Sequence, residues 1–141
     1  MKFYVDTNIY LNLWKKEGDA SKGVPYWKLA KDFLDKAEKE GLTIAFSGLI
    51  IKELQYKLTN EQFEEKKKLL ESTYQKIEVI QEDYANARKF ESQSKFEISF
   101  YDCLHVSVCK RLGLVLVTRD SLLLGFAKSE GLKCGKPEDF L

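Results

Sequence analysis

Residues 114–117 read Leu114-Val115-Leu116-Val117, and the polar segment Thr118-Arg119-Asp120 follows them directly. Four consecutive apolar residues in front of such a segment indicate a short strand that is buried on both faces. Strands of this kind occur in parallel sheets that helices cover on both sides. The run therefore predicts an α/β architecture, and it places Asp120 at the end of a core strand.

Around this strand, short β-prone runs alternate with amphipathic segments. Strands are predicted at 2–5, 42–46 and 77–80, with a further edge strand at 132–134. Helices are predicted after a cap at Asn8, from Pro25 to Gly41, after caps at Ser47 and Asn60, around 84–90, from Ser99 to Gly113, and over 121–130. This alternation predicts a three-layer α/β/α sandwich with a mainly parallel central sheet. A length of 141 residues predicts a single domain, 1–141.

The composition is that of a globular protein whose overall charge selects no partner. Hydrophobic residues make up 44% of the chain and aromatic residues 13%, which is enough for a core. The formal net charge is only +1, so a role in nucleic-acid binding has to rest on a local site. Cys103, Cys109 and Cys134 form no metal-binding pair, and we expect them to be reduced and mostly buried. No run suggests a signal peptide or a membrane span, so we expect a cytoplasmic protein that contacts no membrane.

Four acidic residues stand at positions where a parallel sheet binds its ligands. Asp6 directly follows the strand Phe3-Tyr4-Val5, and Asp120 follows the strand at 114–117. Ligands of open parallel sheets lie outside the carboxyl ends of the strands, where the strand order reverses. Glu53 and Asp102 lie on predicted helices beside apolar neighbours, and Asp102 belongs to the first turn of its helix.

Each of these acids also has a purely structural interpretation. Aspartates at strand ends commonly form turns, which would explain Asp6 and Asp120. Asp102 would stabilise the positive end of its helix dipole. Glu53 has Lys57 one turn later, and an exposed ion pair at that spacing is common. No single acid decides between structure and chemistry, whereas the arrangement of the four does.

Five stretches carry a family resemblance when they are taken together and in order. They read V-D-T-N-I-Y-L at 5–11, I-I-K-E-L at 50–54, S-F-Y-D-C-L-H at 99–105, L-V-L-V-T-R-D at 114–120 and K-P-E-D-F-L at 136–141. This set resembles the PIN domain family, and the likeness covers nearly the whole chain.

The resemblance implies a small α/β nuclease that holds Mg²⁺ or Mn²⁺ with acidic side chains. Carried over position by position, the acidic set consists of Asp6, Glu53, Asp102 and Asp120. Many members of the family are VapC-like ribonuclease toxins of toxin–antitoxin pairs, and others process RNA in larger assemblies. The resemblance therefore implies RNA as the substrate and an antitoxin protein as a candidate partner.

Elementary electrostatics agrees with a metal site at the four acids. Two carboxylates ~4 Å apart repel by roughly 4 kcal/mol at an effective dielectric near 20, so such a cluster is difficult to explain without a cation. Hard divalent cations prefer carboxylate oxygens. One or two bound ions would polarise a scissile phosphate and activate a water molecule.

Four neighbouring polar residues are further candidates for roles at this site. Asn8 and Thr118 could orient the acids or a water, although a helix cap and an ordinary strand residue explain them equally well. Arg119 could meet a phosphate, and a solvent-facing position is the preferred interpretation. His105 follows Asp102 by three residues, and we favour a packing role because the chain has no other histidine.

The sequence therefore predicts a metal-dependent endoribonuclease that prefers single-stranded RNA. It leaves open whether the enzyme is the toxin of a toxin–antitoxin pair or an RNA-processing nuclease without an antitoxin. A binding module of the same fold without catalysis is a third interpretation, against which the presence of all four acids argues. A receiver-like phospho-acceptor ranks lowest, because no Lys follows Leu116-Val117-Thr118.

The segment from Leu49 to Gln75 is predicted to form a helical pair with a partner-binding or homodimer surface. Its charged residues alternate with four large apolar ones, Phe63, Leu69, Leu70 and Tyr74. A solvated pair needs fewer apolar residues. Packing of this stripe on the sheet explains the pattern nearly as well.

Overall fold

The computed structural model describes residues 1–141 as five strands, seven α-helices and a short 3-10 helix. The strands are β1 (Lys2–Val5), β2 (Thr43–Phe46), β3 (Gln75–Lys76), β4 (Val115–Val117) and β5 (Cys134–Gly135). The helices are α1 (Thr7–Trp14), α2 (Tyr26–Lys39), α3 (Gly48–Lys57), α4 (Asn60–Thr73), α5 (Gln81–Gln93), α6 (Phe100–Leu112), α7 (Ser121–Ser129) and the 3-10 helix Pro137–Phe140. None of these helices has the length and apolar content that crossing a bilayer requires.

The five strands form one sheet in the order β3-β2-β1-β4-β5, and every pair is parallel. From β1 the chain moves outward through β2 to β3, and it then returns to the other side of β1 to form β4 and β5. The strand order thus reverses between β1 and β4. This arrangement confirms the predicted α/β/α sandwich, with β5 at 134–135 rather than at 132–134.

Helices cover both faces of the sheet, as the side chains of β1 demonstrate. The ring of Phe3 lies 5.1 Å from that of Phe33 on α2. The hydroxyl of Tyr4 bonds to His105 on α6 at 2.7 Å. Because successive strand residues point to opposite faces, α2 and α6 lie on opposite sides of β1. The core that results is one cluster of 31 buried apolar residues.

The helix boundaries follow from capping side chains, not all of which were predicted. Ser47 and Ser99 cap α3 and α6 as predicted. Asn8 was the wrong cap for α1, because Asp6 accepts the bond from the backbone N–H of Thr7 at 2.8 Å. Asn60 was wrong as well: Thr59 caps α4 in a reciprocal pair with Gln62, which satisfies two backbone N–H groups at once. The site acid Asp6 therefore also starts a helix.

The third strand is shorter and lies earlier than the predicted strand at 77–80. β3 pairs with β2 only through Gln75 and Lys76, and one further bond joins the N–H of Ile77 to the carbonyl of Phe46 at 2.8 Å. Because β2 ends at Phe46, no backbone continues beside the rest of the predicted strand. Its alternating side chains, Ile77 and Val79, pack against the core instead.

The segment from Leu49 to Gln75 forms the predicted pair of helices, α3 and α4. Of its four large apolar residues, Phe63 and Leu70 are buried and Tyr74 packs against the core, whereas Leu69 is 43% exposed. Most of the stripe thus packs inward. A partner or homodimer surface here stays a prediction, with less apolar area than the sequence indicated.

The cysteines match the expectation from the sequence. All three are free thiols, and Cys103 and Cys109 are buried while Cys134 is partly buried. They pack as small apolar residues of the interior.

One buried charge ties α5 to α6. Asp83 accepts hydrogen bonds from Nε and Nη2 of Arg111 at 3.0 and 2.9 Å, from Oγ of Ser107 at 3.3 Å and from the backbone N–H of Ile80 at 2.9 Å. Burial raises the pKa of Asp83, but these donors outweigh burial and hold the pKa below its usual value. The ion pair therefore stabilises the folded state at neutral pH.

We expect Arg111→Ala to lower the free energy of unfolding by about 3 kcal/mol, because it leaves the buried Asp83 carboxylate unpaired. The control is Lys110→Ala, which breaks a pair with Glu130 on the surface and should cost less than about 1 kcal/mol. Urea denaturation measures both losses, and equal losses would contradict the prediction. Since the folded pKa of Asp83 lies below its unfolded value of about 4, the loss in Arg111→Ala should shrink as the pH falls below about 4.

Candidate active site

Two of the predicted site acids lie side by side because their strands are neighbours. Val5 stands opposite Val117 in the pairing of β1 with β4. The backbone N–H of Asp6 extends this pairing with a bond of 2.9 Å to the carbonyl of Val117. Asp120 follows on the same edge as the cap of α7. Both acids thus lie at the reversal of strand order, where open parallel sheets bind their ligands.

The structure brings all four predicted acids to one cavity of about 390 Å³ at this edge. Asp6 and Asp120 come from the strand ends, Glu53 comes from α3, and Asp102 comes from the first turn of α6. Atoms of Asp6, Glu53 and His105 that can bind a metal lie within 4.8 Å of one another. Asp102 and Asp120 line the same cavity outside this tight group.

Three more charged side chains line the cavity, and the sequence did not mark any of them as a site residue. Lys15 and Glu17 follow the end of α1, and Lys57 ends α3. No motif distinguishes the first two from ordinary surface residues. Lys57 was considered only as an ion-pair partner of Glu53, which bonds to His105 instead. The two lysines give an otherwise acidic cavity its positive charge.

Asp6 is held in place through Thr118, which directly follows β4. Its Oδ2 accepts a bond from the hydroxyl of Thr118 at 2.8 Å, and the amide of Asn8 donates to the same hydroxyl at 3.2 Å. The backbone N–H of Asp120 donates to Thr118 as well, at 3.2 Å. Thr118 thus bonds directly to Asp6, and Asn8 acts on Asp6 only through the Thr118 hydroxyl.

Glu53 is held by a buried chain of hydrogen bonds. Its Oε1 lies 2.5 Å from Nε2 of His105, and Nδ1 of His105 lies 2.7 Å from the hydroxyl of Tyr4. That hydroxyl in turn lies 2.8 Å from Oγ of Ser47, the cap of α3. A carboxylate only accepts, so Nε2 carries the hydrogen whichever charge state the imidazole adopts. The chain fixes both the position of Glu53 and the orientation of His105.

The expected packing role of His105 was therefore incomplete. His105 is indeed buried, with 1% of its surface exposed, but its two ring nitrogens connect Glu53 to Tyr4. The spacing of three residues from Asp102 was the available signal. What the sequence lacked was the partner, because Glu53 lies 52 positions away along the chain.

Arg119 lies in neither of the positions that the sequence suggested. Its guanidinium makes two bonds to the carboxylate of Glu138, at 2.8 and 3.0 Å, and lies 4.2 Å from the ring of Tyr26. The side chain is consequently largely buried and unavailable to a phosphate. Solvent exposure was the wrong expectation, because the C-terminal 3-10 helix covers this residue.

The pKa values of Asp6 and Asp102 are raised above the usual value for an aspartate. Burial raises the pKa of Asp102 to about 6, and the nearby Asp6 carboxylate adds to the rise. Burial likewise raises the pKa of Asp6, although His105 and the Thr118 hydroxyl act in the opposite direction. For His105 burial alone would lower the pKa, but the bond to Glu53 and the charge of Asp6 raise it. A bound cation would relieve the repulsion among these carboxylates.

The residues of the cavity fit a hard divalent cation. Carboxylate oxygens dominate the lining, as such ions prefer. Thr7 and Asn8, which also line the cavity, each carry a buried oxygen without any hydrogen-bond partner, Oγ1 and Oδ1 respectively. Buried polar atoms normally have a partner, and a water molecule or an ion bound at the cavity would supply one for these two oxygens.

Comparison with known proteins identifies the family. Residues 3–128 match the family model of the PIN domain, so the chain belongs to the PIN domain family. Members of this family are typically nucleases that use divalent metal ions. No curated protein matches the sequence significantly.

Several solved structures share the fold at low sequence identity. VapBC2 from Rickettsia felis, bound to a DNA fragment from its promoter, is 24% identical with a TM-score of 0.70, over 95% of this chain and 97% of that chain. A toxin–antitoxin complex from Klebsiella pneumoniae is 20% identical with a TM-score of 0.62, over 84% and 87%. VapBC-1 from nontypeable Haemophilus influenzae is 16% identical with a TM-score of 0.72, over 98% and 99%.

In chelator, we expect the stability of the protein to fall as the pH rises from about 4 to about 6. The folded pKa of Asp102 lies above the unfolded value, so the folded state binds more protons in this range. At neutral pH, Asp102→Asn should therefore be as stable as wild type or more stable, by about 1 kcal/mol after allowance for solvent screening. Thermal melting between pH 4 and pH 8 measures both trends.

Two further variants make this test specific. Asp120→Asn keeps a capping side chain at the start of α7 and should also lose no stability in chelator. Asp32→Asn changes an exposed acid of α2 and should leave the pH trend of wild type intact. If Asp102→Asn melts clearly below wild type in chelator at neutral pH, the acid is structural.

Proposed function

We propose that the protein is a metal-dependent endoribonuclease that hydrolyses RNA phosphodiester bonds. The observation that carries the proposal is the convergence of Asp6, Glu53, Asp102 and Asp120 on one cavity at the reversal of strand order. Four acids from separate parts of a 141-residue chain would not gather by chance against their mutual repulsion. Membership of the PIN domain family supports the same chemistry.

The four acids are proposed to hold Mg²⁺ or Mn²⁺, with Asp6 and Glu53 nearest to one another. A bound ion would supply Lewis-acid polarisation of the scissile phosphate and a more acidic water molecule. Asn8 and Thr118 then orient Asp6, and His105 orients Glu53, through the hydrogen bonds described above.

The remaining charged groups of the cavity are considered for phosphate binding and proton transfer. Lys15 and Lys57 are the cations that line it, and they suit the phosphates on either side of the scissile bond. His105 is too buried to reach a substrate. The pKa of about 6 that burial gives Asp102 belongs to the metal-free cavity; a bound cation would lower this pKa, so Asp102 is assigned to metal binding and not to proton exchange.

The purified protein should cleave RNA in Mg²⁺ or Mn²⁺ and lose this activity in chelator. Asp6→Asn and Asp102→Asn should each lower cleavage by at least about 100-fold, because each removes a proposed metal ligand. His105→Gln keeps all four acids but loosens Glu53, so it should raise the metal concentration for half-maximal cleavage by about tenfold. Gel analysis of a labelled RNA, with metal titrated, measures these effects.

The matched control is Asp35→Asn, which changes an exposed acid of α2 outside the cavity and should cleave at the wild-type rate. If Asp102→Asn cleaves as fast as wild type, the assignment of the acids fails. If wild type cleaves equally well in chelator, the metal-dependent mechanism fails.

We further infer that the enzyme acts as the toxin of a toxin–antitoxin pair, with an antitoxin protein as its partner. A structural neighbour with 20% identity is a toxin–antitoxin complex. The structural match to VapBC2 and VapBC-1 covers nearly the whole of this chain and of theirs. An RNA-processing nuclease without an antitoxin, or a binding module without catalysis, is the alternative.

Expression of wild type in bacterial cells should slow growth, whereas Asp6→Asn should not, because growth arrest by such a toxin requires RNA cleavage. Co-expression of the protein encoded beside this gene should restore growth and yield a stable complex. Unimpaired growth with active enzyme, together with no complex, would favour the RNA-processing alternative. Light scattering of the same samples tests the predicted homodimer.

A further inference from the structure

A second groove of about 400 Å³ lies beside the acid cavity, between α3, the loop after β3, and the starts of α5 and α6. Aromatic rings and lysines line it, namely Tyr84, Phe100, Tyr101, Lys52 and Lys76, with Glu78 as the one acid. The proposed nuclease mechanism uses none of these residues.

Two of the three aromatic rings of this groove are exposed. Tyr84 is 45% exposed and Tyr101 is 46% exposed. The ring of Phe100 lies 6.2 Å from each of them, and the guanidinium of Arg88 lies 4.1 Å from the ring of Phe100. Phe100 packs against the core, whereas the core does not require the exposed rings of Tyr84 and Tyr101, and exposed apolar patches mark binding surfaces.

The lysines of the groove are free to meet a negatively charged partner. Nζ of Lys52 bonds to the hydroxyl of Tyr101 at 3.3 Å, so the cation stands beside the ring. Neither Lys52 nor Lys76 belongs to an ion pair, although eight pairs exist elsewhere in the protein. With only Glu78 opposing them, the groove carries a net positive charge.

The groove and the acid cavity are lined by neighbouring residues of the same two helices. Lys52 directly precedes Glu53 on α3, and Tyr101 directly precedes Asp102 on α6. The bond between Lys52 and Tyr101 joins these two helices at the boundary. The groove therefore lies near the acids, with neighbouring residues of α3 and α6 lining the two surfaces.

We propose that this groove binds single-stranded RNA next to the scissile bond, with bases stacked on Tyr84 and Tyr101 and phosphates near Lys52 and Lys76. The proposal rests on the proposed ribonuclease function and names the part of the substrate that this surface holds. Rings that offer a π-face together with unpaired cations are what unpaired nucleotides require. Bases in a duplex are already stacked on one another, so a duplex cannot use the rings.

The test is the affinity for a labelled single-stranded RNA of about 12 nucleotides, measured by fluorescence anisotropy with chelator present. Chelator removes the divalent cation, so the RNA is not cleaved and the acids cannot bind it through a metal ion. The groove is then the proposed binding surface. Tyr84→Ala and Tyr101→Ala should each weaken binding by at least about fivefold, because stacking on an aromatic side chain contributes roughly 1–3 kcal/mol per base. Tyr101→Phe keeps the ring and should bind within about twofold of wild type.

The lysines give a second, independent measurement. The slope of log affinity against log salt is about −0.7 per phosphate contact for a single strand. Lys52→Ala and Lys76→Ala should therefore each make this slope shallower by roughly 0.7. Lys68→Ala, an exposed lysine of α4 outside the groove, should weaken binding less than either.

Matched controls separate the groove from general effects. Phe96 is 71% exposed and lies outside the groove, so Phe96→Ala should leave RNA affinity unchanged. A duplex of equal length should bind the tyrosine variants as it binds wild type. Circular dichroism verifies that each variant is folded, and Tyr101→Phe provides the variant least able to disturb the fold.

Three results would overturn the proposal. Wild type that does not bind the single strand in chelator has no such surface, even if it cleaves RNA with metal present. Unchanged affinity in folded Tyr84→Ala and Tyr101→Ala would exclude stacking. A dimer that becomes monomeric in Tyr84→Ala with unchanged RNA affinity would assign the groove to contact between two copies of the chain. Binding in chelator without metal-dependent cleavage would instead overturn the proposed function alone.

Discussion

β1 and β4 pair in parallel at the centre of the sheet, with Val5 opposite Val117, and the N–H of Asp6 adds one more bond to Val117. The connections that leave these two strands run in opposite directions, so helices diverge from this point and leave an open edge. Asp6 and Asp120 lie at that edge only because the register is fixed. A slip by one residue would turn the side chains of β4 to the other face and separate the two acids.

Gathering carboxylates opposes folding, and the fold offsets part of this cost by using the same groups as helix caps. Asp6 accepts a backbone N–H at the start of α1, and Asp120 accepts two at the start of α7. The cost that remains is visible in the raised pKa values of Asp6 and Asp102, which burial raises most and neighbouring carboxylates raise further. Structural and functional interpretations of a strand-end aspartate are therefore not exclusive here, because one carboxylate serves both.

A chain of hydrogen-bonded polar groups next to the cavity fixes the position of Glu53. Glu53, His105, Tyr4 and Ser47 form a continuous chain of hydrogen bonds through the interior. A buried polar chain with every member paired is rigid, whereas one lost partner leaves costly unpaired groups. The exposed side of the same helices carries Lys52 and Tyr101, so rigid positioning on one face coincides with an accessible surface on the other.

The sequence by itself determined the layers of the fold, most of the helix boundaries and four of the acids that line the cavity. These features can be predicted because they depend on residues close together in the sequence. They are the periodicity of apolar residues, the positions of strand ends, and the capping residues Ser47 and Ser99. Tertiary structure alone decided the extent of β3, which stops where β2 no longer runs beside it. It also decided the partners of His105 and Arg119, which lie 52 and 19 positions away from them. A hydrogen bond between distant residues depends on how the layers pack, and no spacing within the sequence encodes that distance.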